Sequence, residues 1–479
     1  MIMKKFLTLF IVAVIIATAL LGLPACKDPF NDDEFGRDKV AGKVTIRVAV
    51  LNEFGEKNLM TKFKSEFEKL NNYINIKIEA FPGDYYGSMD SYIAKPSLIP
   101  DIIWTPGDQH SRYSSAGHFV DLTQYYAASP ETALDNYYES AIDTTHFTEK
   151  DEGIWFAPRD YNKPVVFLNR EMFAAAQIPI PAQSEWNMAK FLDICEAFKD
   201  KMNNPNNTLD ERRAGLVASS CPVQGDLEWL PVSHSFIEHY GGLLIDPDKK
   251  DAASLVFDSA ANIEAYKCFY RDLIWPGYSK ESANFLGKGA AMWFQVRPRL
   301  QAIVNAGIDV DFLPMPTDKI GAGCSGYAIS AEAKKRLDTT SIPGGNTKNN
   351  AELAWEFIKW IITEQGQEIF GATGSGVPVL KSLEKTGAWL EYKSASLNHA
   401  AFTAKQDCDI NLNKVRIYQP QNQAMIFNEI GSLILTVMKS NTWDGSPYGA
   451  TPVSPGNFNK LSTEVAAHKN KIIDRTTTV

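Results

Sequence analysis

KVTIRVAVL, residues 43–51, alternates apolar and polar side chains and then runs wholly apolar. That pattern is a strand entering a buried sheet. The next segment, Asn58–Leu70, places Leu59, Phe63, Phe67 and Leu70 at helical spacing, with lysines and glutamates on the other face. Ile74–Phe81, INIKIEAF, alternates again, and Ile99–Thr105, IPDIIWT, is a short apolar run that ends in Pro106-Gly107-Asp108. Strand, helix, strand, helix, strand predicts an α/β fold with a mainly parallel sheet. Ligands of such sheets bind beyond the carboxyl ends of the strands. That rule points to Asn52–Glu56 and to Gly107–Gln109.

Working outward towards the C-terminus, Pro164–Leu168, PVVFL, reads as a strand and Trp186–Phe198 as a helix. Asp200–Arg213 is polar and rich in Asn, which reads as a surface loop. A second α/β region covers Leu216–Ala306, and Val310–Pro316, VDFLPMP, is a strand closed by prolines. Ala351–Ile362, AELAWEFIKWII, is an amphipathic helix. A helix over Gln421–Lys439, a loop rich in Pro, Gly and Ser over Asp444–Asn457, and a last helix complete the chain. No internal repeat is present.

Towards the N-terminus, Lys4 and Lys5 precede an apolar run from Phe6 to Leu23, followed by Leu23-Pro24-Ala25-Cys26. A basic segment, an apolar segment and a small residue before a cut make a secretory signal. The cysteine that follows makes it resemble a bacterial lipoprotein signal, which implies that residues 1–25 are removed and that Cys26 is acylated. The competing reading is a transmembrane anchor, for which about 18 apolar residues suffice. Residues 26–42 follow as a charged tether with Pro and Gly and few apolar side chains, so no packed structure is expected there. At about 5–6 Å times the square root of its length, it spans roughly 20–25 Å. The chain is expected outside the cytoplasmic membrane, held to it by the lipid.

The 479 residues are 44% apolar and 11% aromatic, enough for two or three domains with sizeable cores. The formal charge of −9 argues against a nucleic-acid partner. Besides Cys26 there are Cys195, Cys221, Cys268, Cys324 and Cys408, an odd number with no C-x-x-C spacing. The usual zinc and redox patterns are therefore missing, and no metal or other cofactor is expected.

Several segments, in order, resemble the sugar-binding extracellular solute-binding proteins of bacterial ABC importers, the family of maltose-binding protein. They are Pro100–Trp104 with Gly107-Asp108, Gly117–Thr123, Gly153–Pro158, Phe167–Phe173, the helix from Trp186, Gly287–Met292, Ala354–Trp360 and Gly376–Val379. The resemblance implies two discontinuous α/β lobes, 43–162 with 315–370 and 163–314 with 371–479. Crossings are expected near Tyr161–Val165, near Leu313–Pro316 and shortly after Ile369. It implies a monomer that closes on a carbohydrate and hands it to permease subunits in the membrane.

A sugar needs hydroxyl partners and aromatic faces. Glu53, after the first strand, reads as a hydroxyl acceptor or as an exposed loop carboxylate. Asp108 reads as a ligand acid or as a helix N-cap. Asp160 and Tyr161 precede the first crossing, although Arg159 reads equally as a structural partner of Asp160. Trp229 reads as a cleft or a core residue, and Arg297 as a bidentate donor. The resemblance adds Trp293 as a stacking aromatic, Ser325 and Tyr327 in a glycine-rich segment, and Tyr418. The family's G-x-W is replaced here by Met292-Trp293-Phe294-Gln295-Val296-Arg297.

Two other readings compete. A secreted carbohydrate-active enzyme would use two carboxylates, but no catalytic motif holds in detail. Gly323-x-Ser325 is followed by Gly326-Tyr327 rather than x-Gly, and His234 with His239 lacks the H-E-x-x-H spacing. The same fold binding a peptide or a metal is the third reading, and the Tyr85-Tyr86, Tyr125-Tyr126 and Tyr137-Tyr138 pairs are its only sign of iron.

Overall fold

The computed structural model describes residues 42–53, 55–107, 109–146, 153–246, 248–249, 251–279, 283–337, 347–393, 396–411, 423–438 and 461–477. Its strands are β1 (Val44–Val50), β2 (Ile74–Ala80), β3 (Ile102–Pro106), β4 (Ala157–Pro158), β5 (Asp160–Tyr161), β6 (Val165–Asn169), β7 (Cys221–Gln224), β8 (Ala290–Gln295), β9 (Val310–Pro314), β10 (Ile320–Ala322), β11 (Ser325–Ile329), β12 (Val377–Pro378) and β13 (Asp409–Asn411). Two sheets organise the molecule: one in the order β2-β1-β3-β11-β4, the other β7-β8-β6-β9.

In the first sheet β1 runs parallel to β2 and β3, and β11 lies antiparallel to β3 and β4. The alternation read in the sequence places Val44, Ile46 and Val48 inside, and the wholly apolar end of β1 is buried too. Gly326 lets β11 fit between β3 and β4, since a Cβ there would stand 2.0 Å from the Ala157 carbonyl oxygen. The helix Glu56–Leu70 begins two residues earlier than its periodicity predicts, just after Gly55 turns the chain at φ 73°. The helix Asn350–Ile362 starts with a capping box between Asn349 and Glu352 and buries Trp355 against Tyr126. Asp101, at the start of β3, accepts from the backbone of Arg47, from Arg336 at 2.7 Å and from Asn350. It therefore braces the end of the sheet away from the β3 carboxyl end.

In the second sheet β6 is antiparallel to β8 and β9, and β7 is parallel to β8. Period-2 alternation sends Val165 and Phe167 to one face and Val166 and Leu168 to the other. The first face shares a continuous apolar core with the first sheet, through Phe167, Trp293, Phe312, Trp389 and Phe402. The second face is covered by the helices Met188–Met202, Leu230–His239 and Ala260–Phe269. Two later helices, Gln423–Met438 and Leu461–Thr477, add Ile426, Leu433, Leu461 and Ile472 to that core. The segment read as a polar loop over Asp200–Arg213 instead holds a short helix, Leu209–Arg213, closed by a Thr208–Glu211 capping box.

The chain passes between the sheets in three places, and the passages pair with one another. β5 is antiparallel to β12, Asn162 bridges to Gly323, and β10 pairs in parallel with β13. Gln367 locks two of these passages: its Nε2 donates to the Arg159 carbonyl at 3.0 Å and its Oε1 accepts from the Val379 N–H at 2.7 Å. The Asp444–Asn457 loop, Cys26 and the tether up to residue 41 lie outside the described residues. No helix among the described residues is long and apolar enough to cross a membrane.

Candidate functional site

Strand direction puts the same edge of each sheet beside the crossings. In the first sheet Ser325 stands opposite Pro106, so the carboxyl ends of β1 and β3 lie next to the second crossing. In the second sheet Val165 stands opposite Gln295 and Pro314, and Gln224 opposite Trp293. Two edges thus flank the cleft at the crossings, and three of the expected ligand residues, Tyr161, Arg297 and Tyr327, offer it no exposed side chain because they are fully buried.

Glu53 is exposed at the end of the loop after β1, and its carbonyl accepts from the Glu56 N–H. Asp160, Ser325 and Tyr327 converge on Arg159. The buried guanidinium forms a bidentate pair with Glu56 at 2.6 and 2.9 Å and reaches Asp160 at 3.0 Å, the Tyr327 hydroxyl at 3.0 Å and Ser325 Oγ at 3.1 Å. Burial opposes its charge, but Glu56, Tyr327 and Asp160 more than offset this and hold its pKa well above the usual arginine value. Asp160 also accepts from the Ser325 N–H at 2.7 Å and from its hydroxyl. This network fastens the first crossing to the start of β11.

Tyr161 is fully buried, stacks on Tyr138 with ring centres 4.2 Å apart, and donates to Asp409. Asp409 pairs with Lys163 at 2.7 Å and accepts from Ser140 Oγ at 3.2 Å. Burial raises the Asp409 pKa against the opposing pull of Lys163, and lowers that of Lys163 despite Asp409. Arg297 is also buried: it donates to the Trp389 carbonyl at 2.5 Å, contacts His399 Nδ1 at 2.9 Å, and lies over the Trp389 ring. Burial pushes its pKa down to about 9, which leaves it a cation at neutral pH.

Trp293 is 5% exposed, with Phe285 and Phe167 against its ring. Its indole Nε1 donates to Asp226 Oδ2 at 2.6 Å; Gln295 Nε2 reaches the same oxygen at 3.2 Å, and Gln224 Nε2 reaches Oδ1 at 3.3 Å. Trp229 is half-buried at the N-terminus of the helix Leu230–His239. Asp108 and Tyr418 lie outside the described residues. Asp226, Gln224 and Gln295 are not among the residues the sequence marks as candidates. The rule that selected Glu53 and Asp108 would have found Asp226, two residues beyond the end of β7.

Among the described residues no group of three or more His, Cys, Asp or Glu is arranged to hold a metal ion, and the five described cysteines are free thiols. The tyrosine pairs serve packing: Tyr85 shares a hydrogen bond with Thr105 Oγ1, and Tyr126, Tyr137 and Tyr138 are buried. His234 pairs with Glu238 one turn along its helix, at 2.7 Å.

Two α/β sheets joined by paired crossings, with a cleft between their edges, define a two-lobed binding protein. The chain belongs to the bacterial extracellular solute-binding proteins, whose family model matches residues 62–396. Solved structures share the fold. The sugar-binding protein MalE from Xanthomonas citri is 15% identical, with a TM-score of 0.66 over 91% of this chain and 100% of that one. The ABC substrate-binding protein Lmo0181 from Listeria monocytogenes, in complex with cycloalternan, is 13% identical, with a TM-score of 0.64 over 91% and 99%. The GacH receptor of Streptomyces glaucescens, solved unliganded and with acarbose, is 16% identical, with a TM-score of 0.62 over 90% and 99%. No curated protein matches the chain in sequence.

Proposed function

We propose that this chain is the capture component of an ABC importer and that it binds a carbohydrate by closing its two lobes. The observation that carries the reading is the chemistry of the cleft edge on the second sheet. There, Trp293 donates to the Asp226 carboxylate, which also holds the side-chain amides of Gln224 and Gln295, and the Asp226 carbonyl takes the N–H of the half-buried Trp229. Hydroxyls need such acceptors and donors, and the ring faces of a sugar need aromatic surface. The relatives solved with cycloalternan and acarbose support the same ligand class. The lobes divide as 43–162 with 315–370 and 163–314 with 371–479. Glu53, Asp108, Trp229, Trp293 and Tyr418 are assigned to the ligand, and Asp160, Ser325 and Tyr327 shape the cleft floor around Arg159. The mature protein is a monomer held outside the cytoplasmic membrane by a lipid on Cys26, and it performs no turnover.

A thermal-shift screen of residues 43–479 against mono- and oligosaccharides, iron and short peptides tests this. A ligand at about 100 times its Kd adds about 2.7 kcal/mol of stability. A selective sugar shift without product formation is expected. A response to iron or peptide alone would replace the carbohydrate reading, and sugar hydrolysis would replace the receptor. Labelling with radioactive palmitate should mark the wild-type chain and not Cys26→Ala.

A further inference from the structure

We infer that Asp226 is the specificity-determining residue of the cleft: it takes a ligand hydroxyl and turns away sugars that carry an acidic group. The inference rests on the carbohydrate reading above. Asp226 lies on the cleft-side edge of the second sheet, in the turn after β7, with its backbone in the left-handed region at φ 45°. Aspartate tolerates that conformation better than most residues. The turn is closely packed, since a Cβ on Gly225 would stand 2.5 Å from Leu227 and 2.9 Å from Ser279 Oγ.

The three donors to the carboxylate, Trp293, Gln295 and Gln224, are all neutral. Among the described residues Asp226 forms no ion pair. A carboxylate offers about four lone-pair positions. Among the described residues Oδ2 takes two donors and Oδ1 one, so one position on Oδ1 stays open to a hydroxyl. The donors fix the plane of the carboxylate without cancelling its charge.

The opposite edge compounds the effect. One guanidinium, Arg159, is shared by two carboxylates, Glu56 and Asp160, which leaves that group with a net charge of −1. Glu53 adds another exposed carboxylate. Among the described residues the cations beside the crossings are already committed: Lys163 to Asp409, Lys405 to the Met315 and Thr317 carbonyls, and Arg297 to the Trp389 carbonyl and His399. A uronate or a sugar phosphate entering the cleft meets negative charge on both sides. An uncharged sugar meets a hydroxyl acceptor.

Isothermal titration of the mature chain tests this with maltotriose, cellotriose and galactotriose, each beside its counterpart oxidised to one uronate. Whichever neutral sugar binds, its uronate should bind at least tenfold more weakly. That gap should narrow at high salt and shrink at least threefold in Asp226→Asn with an unchanged Tm. Equal binding of the uronate, or a gap that persists in a folded Asp226→Asn, overturns the inference and leaves the carbohydrate reading standing. Should that variant not fold, a wild-type gap that does not change with salt overturns it. Wild-type binding of none of these sugars, nor of any in the thermal-shift screen, removes the carbohydrate reading and this inference together.

Discussion

Arg159 shows how one side chain can serve as both scaffold and cleft floor. Its guanidinium gathers Glu56 from a helix start, Asp160 from the first crossing and Ser325 and Tyr327 from β11. Arg159→Met leaves two buried carboxylates without a counter-charge, which should cost about 3–5 kcal/mol. Urea unfolding would show this as a lower midpoint; a loss below about 1 kcal/mol would mean that water takes over the role of the guanidinium. The sequence allowed an Arg159–Asp160 pair but gave no sign of Glu56, 103 residues away along the chain. Asp409 carries no sequence signal for the same reason. What makes it matter is the meeting of strands that brings Tyr161 to this carboxylate, 248 positions further on.

The long elements were legible because their periodicity is strong. The strands β1, β2 and β6 and the helix Asn350–Ile362 fall within a few residues of their expected bounds. Short elements carry too few residues for a period to emerge. Leu209–Arg213 was hidden in a polar stretch, although Thr208 and Glu211 spell a capping box. The three-residue strands β10 and β13 have no pattern of their own and form because the crossings bring them together. Where a cap does sit on a buried helix, it should be measurable. Asn349→Ala removes the acceptor for the Glu352 N–H. It should lower stability by about 1 kcal/mol in chemical denaturation. An unchanged midpoint would show that the Arg336 backbone contact with Asn350 holds that end unaided.

At the scale of the molecule, the two-lobed plan was legible from the order of short motifs. The way the crossings are tied was not. Asp409 arrives from beyond the third crossing, pairs with Lys163 and holds Tyr161 and Ser140 at once. It thereby fixes the hinge to the helix Glu139–Asp143 of the first lobe. Asp409→Ala leaves a buried lysine unpaired, at a cost of about 3–5 kcal/mol. The expected readouts are a lower Tm and a wider unliganded form in small-angle scattering. A lower Tm with unchanged dimensions would assign Asp409 to stability alone.

The return of Asp409 to the hinge also bears on biogenesis. Residues 409–411 complete the crossing region, and the helices Gln423–Met438 and Leu461–Thr477 close the second core. Nearly the whole polypeptide must therefore have emerged before either structure is finished. Contacts this far apart in sequence make for slow assembly. An extracellular protein benefits, because a nascent chain that cannot complete its hinge stays competent for threading through a membrane pore. A chain ending at residue 396 should accordingly remain protease-sensitive, whereas the full-length chain becomes resistant only after release.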